Sequence, residues 1–262
     1  MPALENWSAA DAYERYVGRW SRGVARDFLA WLAPSRDLAW LDVGCAAGQL
    51  SEVVLAQCAP REIVGLDASE AFIAQARRAV DDPRARFEVG DATKLPFERE
   101  SFDMAVSGLV LNFVREPAAM VRELARVTKS DGIVALYVWD YAGGMQMMRH
   151  FWDAAVALSP NDASLDQAER FPICQPEPLR ALFQDAALRS VAVTPIDVPT
   201  VFRDFEDYWA PFLGKTGAAP TYLARLDDAQ RERIRETLRS RLARGSGPIA
   251  LTARAWAVRG RV

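Results

Sequence analysis

The chain has 262 residues, 50% of them hydrophobic, with a net charge of -3 at neutral pH. That length buries one substantial core, and the near balance of charge excludes the global positive field that gathers polyanions, so nucleic acid is not an expected partner. Cys45, Cys58 and Cys174 fall at no ligand-like spacing and His150 is the only histidine, which excludes a zinc set and fits a reducing cytoplasm. The opening MPALENWSAADAYERY lacks the apolar run of a signal peptide, and nowhere do about 18 uncharged apolar residues run together. The expectation is a soluble, cytoplasmic protein built as one decorated domain.

Residues 1–37 read as a helical cap, with Tyr13, Tyr16, Val17, Trp20, Val24, Phe28 and Trp31 as its apolar stripe and Ala33-Pro34 as its stop. From residue 38 to 139 short apolar runs alternate with helical stretches, the rhythm of parallel strands joined by crossover helices. Strands are predicted at Ala39–Val43, Ile63–Asp67, Arg86–Val89, Phe102–Ser107 and Ile133–Trp139, and helices at Gln49–Gln57, Ser69–Val80 and Pro117–Thr128. In the last helix Met120, Val121, Leu124 and Val127 recur at three and four, leaving Arg122, Glu123 and Arg126 on the wet face. The alternation predicts an α/β, doubly wound sheet.

Beyond Gly143-Gly144 a helix is predicted through Met147, Met148, Phe151, Trp152 and Val156, and another at Leu179–Ala187 behind Pro178. Two β-like runs, Ser190–Val198 and Pro248–Val258, close the chain. The roughly fifty residues between them are too many for a plain loop. Residues 200–247 are therefore expected to form an inserted helical lid or substrate region, with 38–199 and 248–262 as the main domain.

The strongest local signal is Leu41-Asp42-Val43-Gly44-Cys45-Ala46-Ala47-Gly48-Gln49-Leu50, a buried strand passing through small residues into a helix. Small residues belong where a ligand approaches the backbone, since Cβ atoms would hold it off. The second strand ends at Asp67, followed by Ala68, which sets a carboxylate beside the glycine loop where a ribose diol can donate to it. The third ends in Gly90-Asp91-Ala92, a second acid at the same edge. Each aspartate can equally be read as the cap of the next helix, and Ser69 can take that task from Asp67.

Taken together, Leu41–Val138 resembles the class I S-adenosylmethionine-dependent methyltransferases, particularly the large group that includes ubiquinone and menaquinone biosynthesis enzymes. The matching segments are Leu41–Gly48, Gly65–Asp67, Gly90–Phe97, Phe102–Phe113 and Glu116–Val134. The combined reading is a Rossmann-like sheet of seven strands, the last antiparallel, carrying the N-terminal cap and the lid. The resemblance implies S-adenosylmethionine as cofactor and S-adenosylhomocysteine as product. It implies that Gly44 and Gly48 border the methionine part, that Asp67 holds the ribose hydroxyls, that Asp91 with Ala92 meets adenine, and that Asp42, Cys45, Ala46 and Ala68 also belong to the cofactor site. Ser107 falls where the family contacts the cofactor's amino group, and Tyr16 and Arg19 lie where a preceding helix closes over the methionine end. Ala46 departs from the family, which usually has glycine there.

The same segment speaks against other nucleotides. Neither the GxGxxG of a dinucleotide site nor a Walker loop fits Gly44 to Gln49, and no NPPY-like segment follows the fourth strand. Direct displacement from a sulfonium needs alignment and a dry pocket more than a base. For a phenol or carbon acid, Asp140, Tyr141 and His150 are the candidate bases, although Asp140-Tyr141 can simply end the strand and His150 can sit at a core edge. Trp139, Phe151, Trp152, Phe202, Tyr208, Trp209 and Phe212 either line an apolar pocket for a hydrophobic or aromatic acceptor or form plain core. Residues 225–244 hold seven arginines among four acids and read as a solvated helix. The expected function is methyl transfer to a small molecule; the alternatives are a nucleic-acid or protein methyltransferase, or a non-catalytic module that binds the cofactor.

Overall fold

The computed structural model describes residues 18–214, 217–243, 245 and 247–262. Helix α1 (Arg19–Leu32) leads into β1 (Ala39–Val43), α2 (Gln49–Gln57), β2 (Glu62–Asp67), α3 (Glu70–Ala79), β3 (Ala85–Val89), β4 (Phe102–Gly108), α4 (Pro117–Val127) and β5 (Thr128–Trp139). Then come α5 (Gln146–Leu158), α6 (Gln167–Arg170), α7 (Pro176–Asp185), β6 (Arg189–Phe202), α8 (Phe205–Trp209), α9 (Ala218–Leu223), α10 (Asp228–Leu242) and β7 (Ile249–Arg261). Tyr16 lies outside the described residues, as does the side chain of Arg19.

The strands form one seven-stranded sheet in the order β3-β2-β1-β4-β5-β7-β6. The first five are parallel, with Asp42 opposite Gly65 on one side of β1 and opposite Val106 on the other. β7 runs antiparallel to β5: Asp131 N–H donates to Val262 O at 3.1 Å, while Asp140 N–H donates to Arg254 O at 2.9 Å. The order reverses between β1 and β4, and in open α/β sheets ligands settle beyond the strand ends at such a point.

By contact density the chain divides into two compact units. The sheet unit comprises Arg22–Val138, Ile173–Ile196 and Ala255–Val262. Its core follows from the sequence: β1 is buried at all five positions, and α4 inserts Met120, Val121, Leu124 and Val127 while Arg122 stays exposed. Each such side chain contributes about 1.5–3 kcal/mol by leaving water. Phe28 of α1 meets Tyr137 of β5 with ring centroids 4.7 Å apart. Arg126 of α4 donates to Phe97 O and Leu95 O, and Glu123 accepts the Leu95 N–H, fixing the loop that follows β3.

The helical unit comprises Trp139–Pro172 and Asp197–Arg254, together with the described residues before Arg22. Its aromatic residues are its core. Phe151 stacks on Phe212 at 4.7 Å, Trp152 meets Tyr222 at 5.3 Å and Phe202 meets Tyr208 at 5.3 Å, all nearly inaccessible to solvent. Of the two readings open from sequence, plain core is the one that describes these rings. Arg149 braces α5 by pairing with Asp166 at 2.5 Å and Asp153 at 2.8 Å. On α10 a capping box between Asp227 and Gln230 starts the helix, Ile234 and Leu238 are its buried residues, and Arg235 and Arg239 share Glu206. That is the solvated helix expected from its interleaved charges.

Candidate cofactor site

Everything the sequence marked between Asp42 and Ser107 lies in the sheet unit, at the carboxyl ends of β1, β2, β3 and β4. After Val43 the backbone turns sharply. Gly44 has φ of 75°, and a Cβ there would come within 2.5 Å of Val110 Cγ2. The Gly44 and Cys45 N–H groups both donate to Leu66 O, at 2.7 and 3.1 Å, so the loop is laid across the end of β2. Gly48, with φ of 91°, caps α2 and donates its N–H to Cys45 O at 2.8 Å. Between the two glycines, Ala46 has φ of 46°. The loop keeps a left-handed shape where the family usually has glycine, and the alanine carries the strain of that region.

Asp67 organises this loop. Its Oδ2 accepts the Ala46 N–H at 3.0 Å and its Oδ1 accepts the Ser69 N–H at 2.9 Å. The cap of α3 is Ser69, whose hydroxyl accepts the Phe72 N–H at 3.3 Å. Each Asp67 oxygen keeps acceptor capacity beyond its one bond, and Ala68 beside it is exposed. Asp91, also exposed, accepts the N–H and hydroxyl of Thr93 on a single oxygen, both at 2.8 Å, and these bonds hold its carboxyl below the usual range. Ala92 is partly exposed next to it.

Asp42 is wholly buried at the end of β1, and its Oδ2 accepts the Ser51 hydroxyl of α2 at 2.7 Å. Its Oδ1 has no hydrogen-bond partner. Burial pushes this carboxyl up to about 7, with the Ser51 bond opposing and the charge of Asp67 adding to the shift. Burial, then Asp42 and Asp67, also push the Cys45 thiol up, which keeps it protonated and unreactive.

Two further residues at this edge leave buried polar atoms unpaired: Ser107 through its hydroxyl, and Asn112 through both ends of its amide. Asn112 belongs to the short turn Leu111–Phe113 after β4, two residues past the Val110 side chain that faces Gly44. Sequence reading missed it, though a lone amide inside the apolar run Leu109-Val110-Leu111-Asn112-Phe113 was the available signal. Unpaired buried polar groups are uncommon in folded proteins and call for an account.

The other predicted residues belong to the helical unit. Asp140 accepts the N–H groups of Gly143 and Gly144, at 3.2 and 2.9 Å, and so closes the turn after β5. Tyr141 is buried against Phe171 at 5.6 Å. His150 lies on α5, its pKa lowered by partial burial, with Asp153 opposing and Arg241 and Arg149 reinforcing.

A separate cavity of about 430 Å³ opens at the start of β4 and β5, the edge opposite the glycine loop, beside Pro34, Asp103, Lys129 and Arg259. Its cations are engaged, Lys129 with Asp103 at 2.7 Å and Arg259 over the Trp31 ring at 4.7 Å. It is no rival to the strand-end site. Among the described residues, no group of three or more metal-ligating side chains is found, and no helix is long and apolar enough to cross a membrane.

Comparison with known proteins agrees with this geometry. Residues 41–136 match the methyltransferase domain family. The chain is 32% identical over 130 residues to a demethylmenaquinone methyltransferase of Roseiflexus, covering 48% of this chain and 55% of that protein. It is 29% identical over 137 residues to a trans-aconitate 2-methyltransferase of Methylobacterium nodulans, covering 52% and 51%. The matched stretch thus spans about half the length of these relatives. Among solved structures, a Haemonchus contortus phosphoethanolamine N-methyltransferase in complex with S-adenosylhomocysteine aligns over 100% of this chain and 61% of its own, with a TM-score of 0.61 at 15% identity. The glycine loop laid over β2, the sheet order with its antiparallel β7 and the family match make residues 41–136 a domain of the class I S-adenosylmethionine-dependent methyltransferase family.

Proposed function

We propose that this protein binds S-adenosylmethionine at the carboxyl edge of β1, β2, β3 and β4 and transfers its methyl group to a small molecule. The observation that carries the reading is the Asp67 carboxylate, bonded to the loop through Ala46 and still able to accept at both oxygens. In this reading Asp67 and Ala68 hold the ribose hydroxyls, and Asp91 and Ala92 border adenine. Asp42, Gly44, Cys45, Ala46, Gly48 and Ser107 surround the methionine end. The unpaired atoms of Asp42, Ser107 and Asn112 support the fit, since a bound polar ligand is one way such groups are satisfied.

The cofactor when bound supplies an activated methyl on a cationic sulfur, and the chain's residues supply orientation and exclusion of water. A small acceptor is supported by the quinone and carboxylic-acid acceptors in the names of the relatives. It is supported also by the net charge of -3 and by arginines on α10 that are paired with acids. Asp140, Tyr141 and His150 remain the proposed bases for an acceptor that must lose a proton. The test is incubation with methyl-labelled S-adenosylmethionine and a panel of phenols, quinols and carboxylic acids, followed by mass spectrometry. Label in a small molecule supports the reading, whereas label only in added RNA or protein contradicts it.

A further inference from the structure

We propose that Asp42 is a charge-sensing residue of the cofactor site, ionised with S-adenosylmethionine bound and left at the partial protonation of the free protein with S-adenosylhomocysteine bound, so that it favours the substrate form of the cofactor over the product form. The inference rests on the cofactor reading above and is independent of the acceptor.

The geometry is that of a carboxyl with too little support for its charge. Asp42 is wholly buried two residues before Gly44, and Ser51 alone supports it by hydrogen bonding, while its Oδ1 takes no bond. The groups facing it are few. From α2 come the Ser51 hydroxyl and backbone N–H, from β2 the like charge of Asp67, from the loop the Cys45 thiol, and from β4 the uncharged Val106 in register with it. No cation contributes to its titration. A buried carboxylate without a cation is unfavourable and takes up a proton instead. Burial, opposed by Ser51 and reinforced by Asp67, accordingly brings this group to about 7.

A group so poised responds to a single charge placed at the loop. The two cofactor forms differ by the positive charge on sulfur, carried by S-adenosylmethionine and absent from S-adenosylhomocysteine. That charge draws the Asp42 O–H proton off to solvent and leaves the carboxylate to compensate it. The neutral thioether leaves the proton in place. By linkage, affinity for S-adenosylmethionine rises with pH through neutrality while affinity for S-adenosylhomocysteine does not. After methyl transfer, uptake of about half a proton by Asp42 near pH 7 weakens an attraction that held the substrate form.

The experiment is calorimetric titration of the full chain with each cofactor form, in phosphate and in Tris, because the dependence of the heat on buffer counts the protons exchanged. Near pH 7, S-adenosylmethionine should release about half a proton and S-adenosylhomocysteine close to none. The ratio of the two affinities should rise about threefold to tenfold between pH 6 and 8. Asp42→Asn should abolish the release and flatten the ratio, and Ser51→Ala, which removes the supporting bond, should move the midpoint to higher pH. Buffer-independent heats in the wild type, or release undiminished in Asp42→Asn, would overturn the proposal. If Asp42→Asn does not fold, an unmoved midpoint in Ser51→Ala overturns it equally. Binding without proton exchange refutes this inference alone, and absence of any binding refutes the cofactor reading and this inference with it.

Discussion

The Oδ2 atom of Asp67 accepts the Ala46 N–H at 3.0 Å, tying the tip of the glycine loop to the end of the adjacent strand. One carboxylate thereby holds the loop in shape and offers acceptors to a ligand. Asp67→Ala should weaken binding of S-adenosylhomocysteine by about 1–3 kcal/mol, the cost of hydrogen bonds lost at a partly buried site. Calorimetry reads this directly, and unchanged affinity would remove Asp67 from the ribose role.

Gly44 and Val110 are in close apposition, and a Cβ on Gly44 would meet Val110 Cγ2 at 2.5 Å in a left-handed backbone. Gly44→Ala should therefore destabilise the fold by about 1–3 kcal/mol, through overpacking and backbone strain together. Adding Val110→Ala should recover the overpacking part. A double-mutant cycle by urea denaturation measures that coupling, and strict additivity would mean that the two residues do not press on each other.

Ala46 sits at φ of 46°, a conformation that costs a non-glycine residue about 1–2 kcal/mol. Ala46→Gly relieves that strain but adds freedom to the unfolded chain, so its stability should stay within about 1 kcal/mol of the parent. Ala46→Val should lose more than either, because β-branching is poorly tolerated in the left-handed region. Equal melting temperatures for the glycine and valine variants would contradict the loop geometry.

For Asp42 the pH dependence of stability has a defined sign. Its folded value of about 7 lies above the ordinary 3.8, so between these the folded chain binds more protons than the unfolded chain. This group's contribution therefore falls as pH rises from about 4 to 7 and levels off above that. Asp42→Asn should remove that decline, and denaturation of both proteins at pH 5 and 8 checks it. A parent that loses no more stability than the variant over this interval would contradict the burial argument.

In the helical unit, Phe212 stacks on Phe151 at 4.7 Å and is almost inaccessible. Phe212→Ala should cost about 3–5 kcal/mol. Replacing Arg235 and Arg239 together with Gln should cost under about 1 kcal/mol, because both meet Glu206 near the surface. Reversed magnitudes, read by urea denaturation, would mean that this unit is held by its charges rather than its rings.

The sheet was legible from sequence because buried parallel strands read as short apolar runs. β1 matches its predicted span, and Ser69 caps α3 as its residue type suggested. β5 begins at Thr128 rather than at Ile133, since Asp131, in a left-handed turn, and Gly132 continue a strand that their residue types argue against. Pairing overrides propensity there: Asp131 N–H donates to Val262 O, and Val262 N–H to Gly132 O. β6 likewise continues through Pro199 to Phe202. The aromatic residues of the helical unit were ambiguous because helical spacing is the same for a core and for a pocket wall. Asn112 offered only the signal of a lone amide in an apolar run, since its being unpaired is a property of its surroundings.

The central claim is that the strand-end site holds the cofactor, and calorimetric titration of the wild-type chain and Asp67→Ala with S-adenosylhomocysteine tests it most directly. One molecule bound per chain, with affinity clearly reduced in the variant, is the result predicted by the bonds from Asp67 to the glycine loop. No binding by the wild type, or equal binding by a folded Asp67→Ala, would contradict it.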